Sequence, residues 1–333
     1  MKAINIGKIQ IDNPVMLAPM TGVSDLPFRK LVRKFGCGMV VSEMIASRAM
    51  VLQTRNTMRM AQHDDGASPK VVQLAGCEPE VMGEAAKLNE DMGADIIDIN
   101  FGCPVKKVVS KGAGAGILKD IDLMVSLTKA MVEHTTLPVT VKTRLGWDED
   151  SIKIVEVAER LQDVGCKSIA IHGRTRAQMY KGNADWKPIA EVKNNQRMHI
   201  PVFGNGDIDS PEAAMKMRDE YGLDGAMIGR ASIGYPWFFK EVKHFFETGT
   251  HLAPPTMKER VHAARRHLQM AIDWKGEKLG VFETRRHYTN YFKGIPNFKP
   301  YRMKMVTSDE SADVFAAFDE VLEKFGDYEF SAI

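Results

Sequence analysis

The sequence predicts an α/β protein: a (β/α)₈ TIM barrel over residues 1–250, then a helical domain over residues 251–333. Three observations carry this. Eight short apolar runs rich in β-branched residues recur between residues 15 and 228. Amphipathic stretches of helical period separate most of them, as at 79–92, 120–135, 150–164 and 211–221. The pattern breaks at 249–255, where two prolines and a Gly-Thr pair make a linker, and no strand-like run comes after it. Runs apolar on both faces suit a parallel sheet covered by helices. A doubly wound sheet is the competing architecture, and the count of eight with regular spacing favours the barrel.

Each run is justified by its composition and by the residues that close it. The first, 15–19, leads into Pro19-Met20-Thr21-Gly22, and the second, 39–44, ends in Ser42-Glu43-Met44. The third, 71–75, carries Gln73, and the fourth, 96–100, ends at Asn100 before Phe101-Gly102-Cys103-Pro104. The fifth, 139–143, carries Lys142 and leads to Arg144. The sixth, 168–172, ends in His172-Gly173-Arg174-Thr175-Arg176. The seventh, 202–205, leads from Asn205 to Gly206-Asp207, and the eighth, 226–228, to Gly229-Arg230. Chemistry in this fold sits at the carboxyl ends of strands, so these residues belong to one rim.

Composition bounds the rest. At 333 residues, 44% hydrophobic and 26% charged, the chain is neither disordered, collagen-like nor a disulfide scaffold. Its formal net charge of +2 says nothing about partners. Cys37, Cys77, Cys103 and Cys166 contain no CxxC pair, which suits reduced thiols rather than zinc or an iron–sulfur cluster, so no metal is expected. No apolar run approaches the ~18 residues of a membrane span, and residues 1–12 lack a signal-peptide core. The cytoplasm is the expected location, with no membrane partner.

Several rim residues have chemical meaning as a set. Loops after the last two barrel strands commonly bind phosphate. Gly204, Gly206 and Gly229 allow close backbone approach there, and Arg230 adds charge, so a phosphorylated cofactor or substrate is expected. The bland reading makes these glycines ordinary turns. Lys142, buried in the mouth, needs a partner or an anion, and an anionic reduced flavin is one. Gln73 and His172 could read such a ring by hydrogen bonds. Cys103 stands on a Gly-Cys-Pro turn, where a thiol can act as general acid or as nucleophile. The string Lys111-Gly112-Ala113-Gly114-Ala115-Gly116 does not lie directly after a strand and is read as an active-site loop, not a dinucleotide fingerprint.

Charge is uneven in the helical part. Between Pro254 and Met305, twelve basic residues face four acids, an excess of +8, and the tail from Val306 to Ile333 carries −7. With His287, Tyr288, Tyr291 and Phe292 interleaved, the block reads as a phosphate-backbone surface with rings for unpaired bases. The competing reading is a solvated helical face whose aromatics are core.

The motifs Ala18-Pro19-Met20-Thr21-Gly22-Val23-Ser24-Asp25, Pro27-Phe28-Arg29, Ser42-Glu43-Met44, Gln73-Leu74-Ala75-Gly76, Asn100-Phe101-Gly102-Cys103-Pro104, Lys142-Thr143-Arg144, His172-Gly173-Arg174-Thr175, Gly204-Asn205-Gly206-Asp207 and Gly229-Arg230 occur in this order. From Pro14 to about Phe298 the chain resembles the tRNA-dihydrouridine synthases, most nearly their bacterial B-type branch. The resemblance implies an FMN-bearing barrel, a helical tRNA-binding domain and NADPH-driven reduction of the C5–C6 double bond of particular tRNA uridines. It implies FMN contacts from Pro19, Met20, Thr21, Gln73, Lys142, His172, Asn205, Gly206, Asp207, Gly229 and Arg230. Cys103 would protonate C5 while flavin N5 delivers hydride to C6. Asn100 and Arg174 would contact uracil, and Arg285, Arg286 and Lys293 the tRNA. A monomer is expected. Thr21 departs from an alanine frequent in the family, which a main-chain contact would not feel, and nothing after Met305 adds to the resemblance. A flavin barrel acting on a free pyrimidine, like dihydroorotate dehydrogenase, would share the barrel and a cysteine but would not need the basic appendage.

Overall fold

The computed structural model describes residues 3–63, 66 and 68–330. An antiparallel hairpin, β1 (Ile4–Ile6) and β2 (Ile9–Ile11), precedes the main sheet. That sheet has nine parallel strands: β3 (Val15–Leu17), β4 (Met39–Val40), β5 (Ile45–Ala46), β6 (Val71–Ala75), β7 (Ile96–Asn100), β8 (Val139–Arg144), β9 (Ile169–His172), β10 (Val202–Asn205) and β11 (Gly225–Ile228). Their order, β4-β3-β11-β10-β9-β8-β7-β6-β5, is that of a (β/α)₈ barrel whose second stave is broken into β4 and β5. A bridge between Val41 and Val71 joins the two ends of the sheet.

The break corrects the expectation of one continuous strand over 39–44. Ser42 and Glu43 divert the backbone there. The Ser42 hydroxyl donates to the Glu43 carbonyl and accepts from Gln73 N–H, while the Glu43 carboxylate accepts from Gly22 N–H.

Period-two alternation places the site. Inward residues low in the barrel are apolar: Met16, Met39, Val71, Ile96, Ala170, Phe203 and Met227 pack with Ile6 and Ile11 of the hairpin. The hairpin therefore closes the amino-terminal end. Higher on the same faces stand Gln73, Asp98, Asn100, Thr140, Lys142, His172 and Asn205. Register sets Gln73 beside Asp98 and Asp98 beside Thr140, then Asn100 beside Lys142 and His172 beside Asn205. Outward residues such as Ile97, Ile99, Val141 and Ile171 belong to the larger core shared with the helices.

Four helices come after the barrel: Met257–Lys275, Glu277–Tyr291, Lys299–Thr307 and Ser311–Phe325. The first starts on a capping box between Thr256 and Glu259. Gly276 alone joins it to the second, and Gly280 lets them close, since a Cβ there would lie 2.7 Å from the Ile272 backbone nitrogen. Their apolar residues form one core with the barrel. Phe28 rests against His267 and His287 at 5.4 and 4.7 Å, and Gly234 N–H donates to His287 Nδ1 at 3.1 Å.

This packing overturns the reading of the interleaved aromatics as base-stacking rings. His287, Tyr288, Tyr291 and Phe292 are all buried in that core. The acidic tail is likewise structural: Asp309 pairs with Arg285, Asp319 with Arg265 and Glu320 with Lys304. Lys275 turns inward to Asp25 and Glu283. Four of the block's twelve cations are thus neutralised where it folds.

Candidate active site at the barrel mouth

A cavity of about 1660 Å³ opens above the polar layer. It gathers Pro19, Met20, Thr21, Gln73, Asn100, Cys103, Lys142, His172, Arg174, Asn205, Gly206, Asp207, Gly229, Arg230 and Lys293. Arg285 and Arg286 do not line it. Arg285 donates to the Ser308 carbonyl and Asp309. Arg286 is exposed and lies over the loop at Gly22, where a Cβ would collide with its Nη1.

The Cys103 turn is held from two sides. Asn100 Oδ1 accepts from Gly102 N–H at 3.1 Å and Cys103 N–H at 2.8 Å. Arg144 Nε donates to the Gly102 carbonyl at 2.8 Å, and its Nη1 donates to the carbonyls of Thr175 and Met179. The Cys103 thiol is free and its residue half-buried at the cavity wall.

Lys142 Nζ donates to Asn205 Oδ1 at 3.0 Å, and Asn205 Nδ2 donates to the Met227 carbonyl at 2.8 Å. Burial, with Arg144 beside it, pushes the Lys142 ammonium down to about 8, against the pull of Asp98 and Cys103. Burial also takes His172 down to about 2, helped by Lys142, Arg144, Arg174 and Arg230, so its imidazole is neutral.

Beyond strands β10 and β11 the cavity wall carries both signs of charge, with Asp207, Asp209 and Glu212 beside Arg230 and with Arg174 bracing Asp207. Burial acts to raise the Asp207 pKa, but the Arg174 hydrogen bond, the Ala184 N–H and two guanidinium charges prevail and hold it below the ordinary carboxylate range. Asp207 Oδ2 accepts from Arg174 at 2.6 Å and Oδ1 from Arg230 at 2.9 Å. The Arg174 guanidinium is buried and also donates to the carbonyls of Lys181 and Gly182, so it braces this wall. Arg230 is the exposed cation there, its side chain 60% accessible. Gly206, at φ 116°, passes so close that a Cβ would lie 2.8 Å from the His172 ring.

Sequence alone does not mark three residues of the cavity wall and floor as functional. Tyr180 stands near Arg144, Arg230 and His172, with ring distances of 5.5, 5.7 and 6.4 Å. It lies in an irregular loop, and nothing local marks it. Arg144 was visible at a strand end, but its bond to the Cys103 turn crosses between strands. Asp98 had a signal: a charged residue two before Asn100, hence on the same inward face.

Among the described residues, no group of three or more His, Cys, Asp or Glu could hold a metal, and no helix is long and apolar enough to cross a membrane. The chain matches the family model for dihydrouridine synthase (Dus) over residues 16–325. It is 44% identical over 300 residues to a probable tRNA-dihydrouridine synthase of Rickettsia conorii, covering 90% of each chain. It is 42% identical over 302 residues to tRNA-dihydrouridine synthase B of Pseudomonas aeruginosa, covering 91% of this chain and 90% of that one. Among solved structures, it resembles morphinone reductase with TM-score 0.54 and 12% identity, over 76% of this chain and 91% of that one. It resembles 2-naphthoyl-CoA reductase with TM-score 0.58 and 13% identity, over 73% of this chain and about half, 52%, of that one. At such identities the likeness is one of fold.

Proposed function

The chain belongs to the dihydrouridine synthase family, and on that premise we propose that it is an FMN-dependent tRNA-dihydrouridine synthase that uses NADPH to reduce the C5–C6 double bond of uridines in tRNA. The carrying observation is that Cys103, on the turn after β7, and Lys142, on the adjacent strand β8, face one cavity.

The residues fit FMN. The cavity exceeds the 300–1,000 Å³ typical of small-molecule sites, leaving room for a ring system and a nucleobase over it. Lys142 and the Gln73 amide offer donors to the oxygen-rich edge of a flavin, and the Asn100 amide offers one to a uracil carbonyl. Arg230 and the backbone at Gly206 and Gly229, bare of side chains at the cavity wall, suit its phosphate. Pro19, Met20 and Thr21 border the cavity next to Gly229, since β3 pairs with β11. Asp207 serves by aiming Arg230 and bracing Arg174.

When bound, FMN supplies the hydride that adds to C6. This chain's own residues do the rest. Lys142 compensates negative charge on the ring. The Asn100 turn presents Cys103, and the thiol donates its proton to C5 from the opposite face. Hydride and proton together saturate the double bond, and the thiolate left behind regains a proton from solvent. With an unperturbed pKa of about 8.5, a thiol is a far stronger acid than a serine hydroxyl. The target uridine must leave the RNA stack to reach this depth.

Residues 251–333 are proposed as the tRNA-binding region. Lys258, Arg266, Lys278, Arg286, Lys293 and Lys299 are exposed and form no ion pair among the described residues. Arg286 and Lys293 stand nearest the mouth. We place the enzyme in the cytoplasm as a monomer. The test is direct. Purified protein should be yellow, and unmodified tRNA should accelerate its NADPH oxidation while orotate and dihydroorotate do not. Colourless protein, or acceleration by orotate in place of tRNA, overturns the proposal.

A further inference from the structure

Asp98 sits on the inward face of β7, 4% exposed, in a barrel layer whose neighbours below are apolar. Thr140 Oγ1 donates to one of its oxygens at 2.6 Å and Gln73 Nε2 to the other at 2.7 Å. A carboxylate accepts and does not donate, so Gln73 must turn its NH₂ toward Asp98. Gln73 Oε1 then accepts from Asn100 Nδ2 at 2.8 Å. This leaves Asn100 Oδ1 to take the N–H groups of Gly102 and Cys103 at 3.1 and 2.8 Å. One acceptor at the bottom thus settles every polarity above it.

We propose that Asp98 is a positioning residue, which acts through Gln73 and Asn100 to orient both amides, so that the cavity floor presents N–H donors and the Cys103 turn is held in one arrangement. The catalytic sense of the inference rests on Cys103 being the proton donor. Gln73 and Asn100 commit their acceptor oxygens within the chain of hydrogen bonds, so what they offer the cavity is N–H. Lys142 adds only donors beside them. A ligand edge bearing acceptors is matched, and one bearing donors is refused. Burial pushes the Asp98 carboxyl up to about 6, and the Thr140 and Gln73 hydrogen bonds with the Lys142 charge oppose that rise. At neutral pH the acceptor state is therefore present.

The experiment is amide hydrogen exchange on the purified full-length protein, resolved at residues 97–103. In Asp98→Ala, exchange at Gly102 and Cys103 should rise at least tenfold, while Ile97 and Ile99, bonded within the sheet, stay as they were. Asp98→Asn should keep the protection, because its Oδ1 still accepts from Gln73 and its NH₂ donates to the Thr140 hydroxyl. Unchanged exchange in Asp98→Ala overturns the proposal, as does equal release in Asp98→Asn. Should Asp98→Ala fail to fold, Gln73→Leu cuts the same chain one link higher. The same local release is expected there, and its absence is equally fatal. In turnover, Asp98→Ala should lower kcat at least 30-fold with KM for tRNA within twofold. Release of the turn without a fall in kcat overturns the positioning role. Absence of dihydrouridine from the unsubstituted enzyme overturns the functional reading instead, and the exchange arm judges the hydrogen-bond chain without it.

Discussion

The barrel mouth and the helical region differ in how their polar residues are used. At the mouth, side chains from six strands, β6 to β11, converge on one cavity, and their hydrogen bonds run from strand to strand. In the helical region, the basic block is divided: Arg265, Lys275, Arg285 and Lys304 are paired and Arg260 is buried against the Tyr291 carbonyl, while six other cations stand exposed. The lesson is geometric. A residue at the end of a parallel strand has its position and side set by topology and period. A cation on a helix has its role set by whichever element covers that face.

The greatest loss is expected at the mouth. Cys103→Ala should lower dihydrouridine formation about 10² to 10⁴-fold, the usual worth of a positioned acid, and should keep bound FMN and its reduction by NADPH. Product measured in treated tRNA at normal yield would remove Cys103 from the reaction.

The joint between the regions should be acid-sensitive. Burial holds His267 down to about 4, Lys275 adding to this and Asp25 opposing it, whereas the unfolded chain titrates near 6.5. Between these values the unfolded state binds more protons. The stability due to neutral His267 is therefore complete above pH 6.5 and lost as pH falls toward 4, by roughly 3 kcal/mol. Thermal melts of wild type and His267→Gln from pH 7 to 4 should converge at the acid end. Parallel curves would count against it.

At the mouth again, Lys142→Met should weaken FMN binding about tenfold, the loss of one charge-assisted contact. Lys142 is charged below about 8 and neutral above it. Wild-type affinity should fall as pH rises through 8, and the variant should show no such step in a flavin-fluorescence titration.

Within the helical region, exposed and paired cations should part company. Arg286→Ala with Lys293→Ala should weaken tRNA binding and make log Kd against log salt shallower by about 1.5, at ~0.7–0.9 per lost phosphate contact. Arg285→Ala should leave that slope alone and cost about 1 kcal/mol of stability, since its partner Asp309 lies at the surface. A large change of slope from Arg285→Ala would return that residue to the RNA surface.

Strands β6, β7 and β10 stand where their apolar, β-branched runs put them, because a fully covered parallel strand needs both faces apolar. Lys142, Cys103, His172 and Asn205 were legible for the same reason: polar residues closing an apolar run have only the mouth to occupy. The break in the second stave was not legible, since it depends on Gln73 and Gly22 reaching Ser42 and Glu43 from elsewhere. Nor was the fate of Tyr288 and Tyr291, whose burial needed the neighbouring helices in place.

The amino-acid order alone therefore determined periodic things: which segments are strands, which way alternate side chains face, and which residues end each stave. The tertiary structure alone decided pairing: that Arg285 meets Asp309, that Arg174 braces against Asp207, and that Asp98 reaches Cys103 through two amides. Period is written locally in the chain, whereas a hydrogen bond between distant segments exists only once both ends have been brought within about 3 Å.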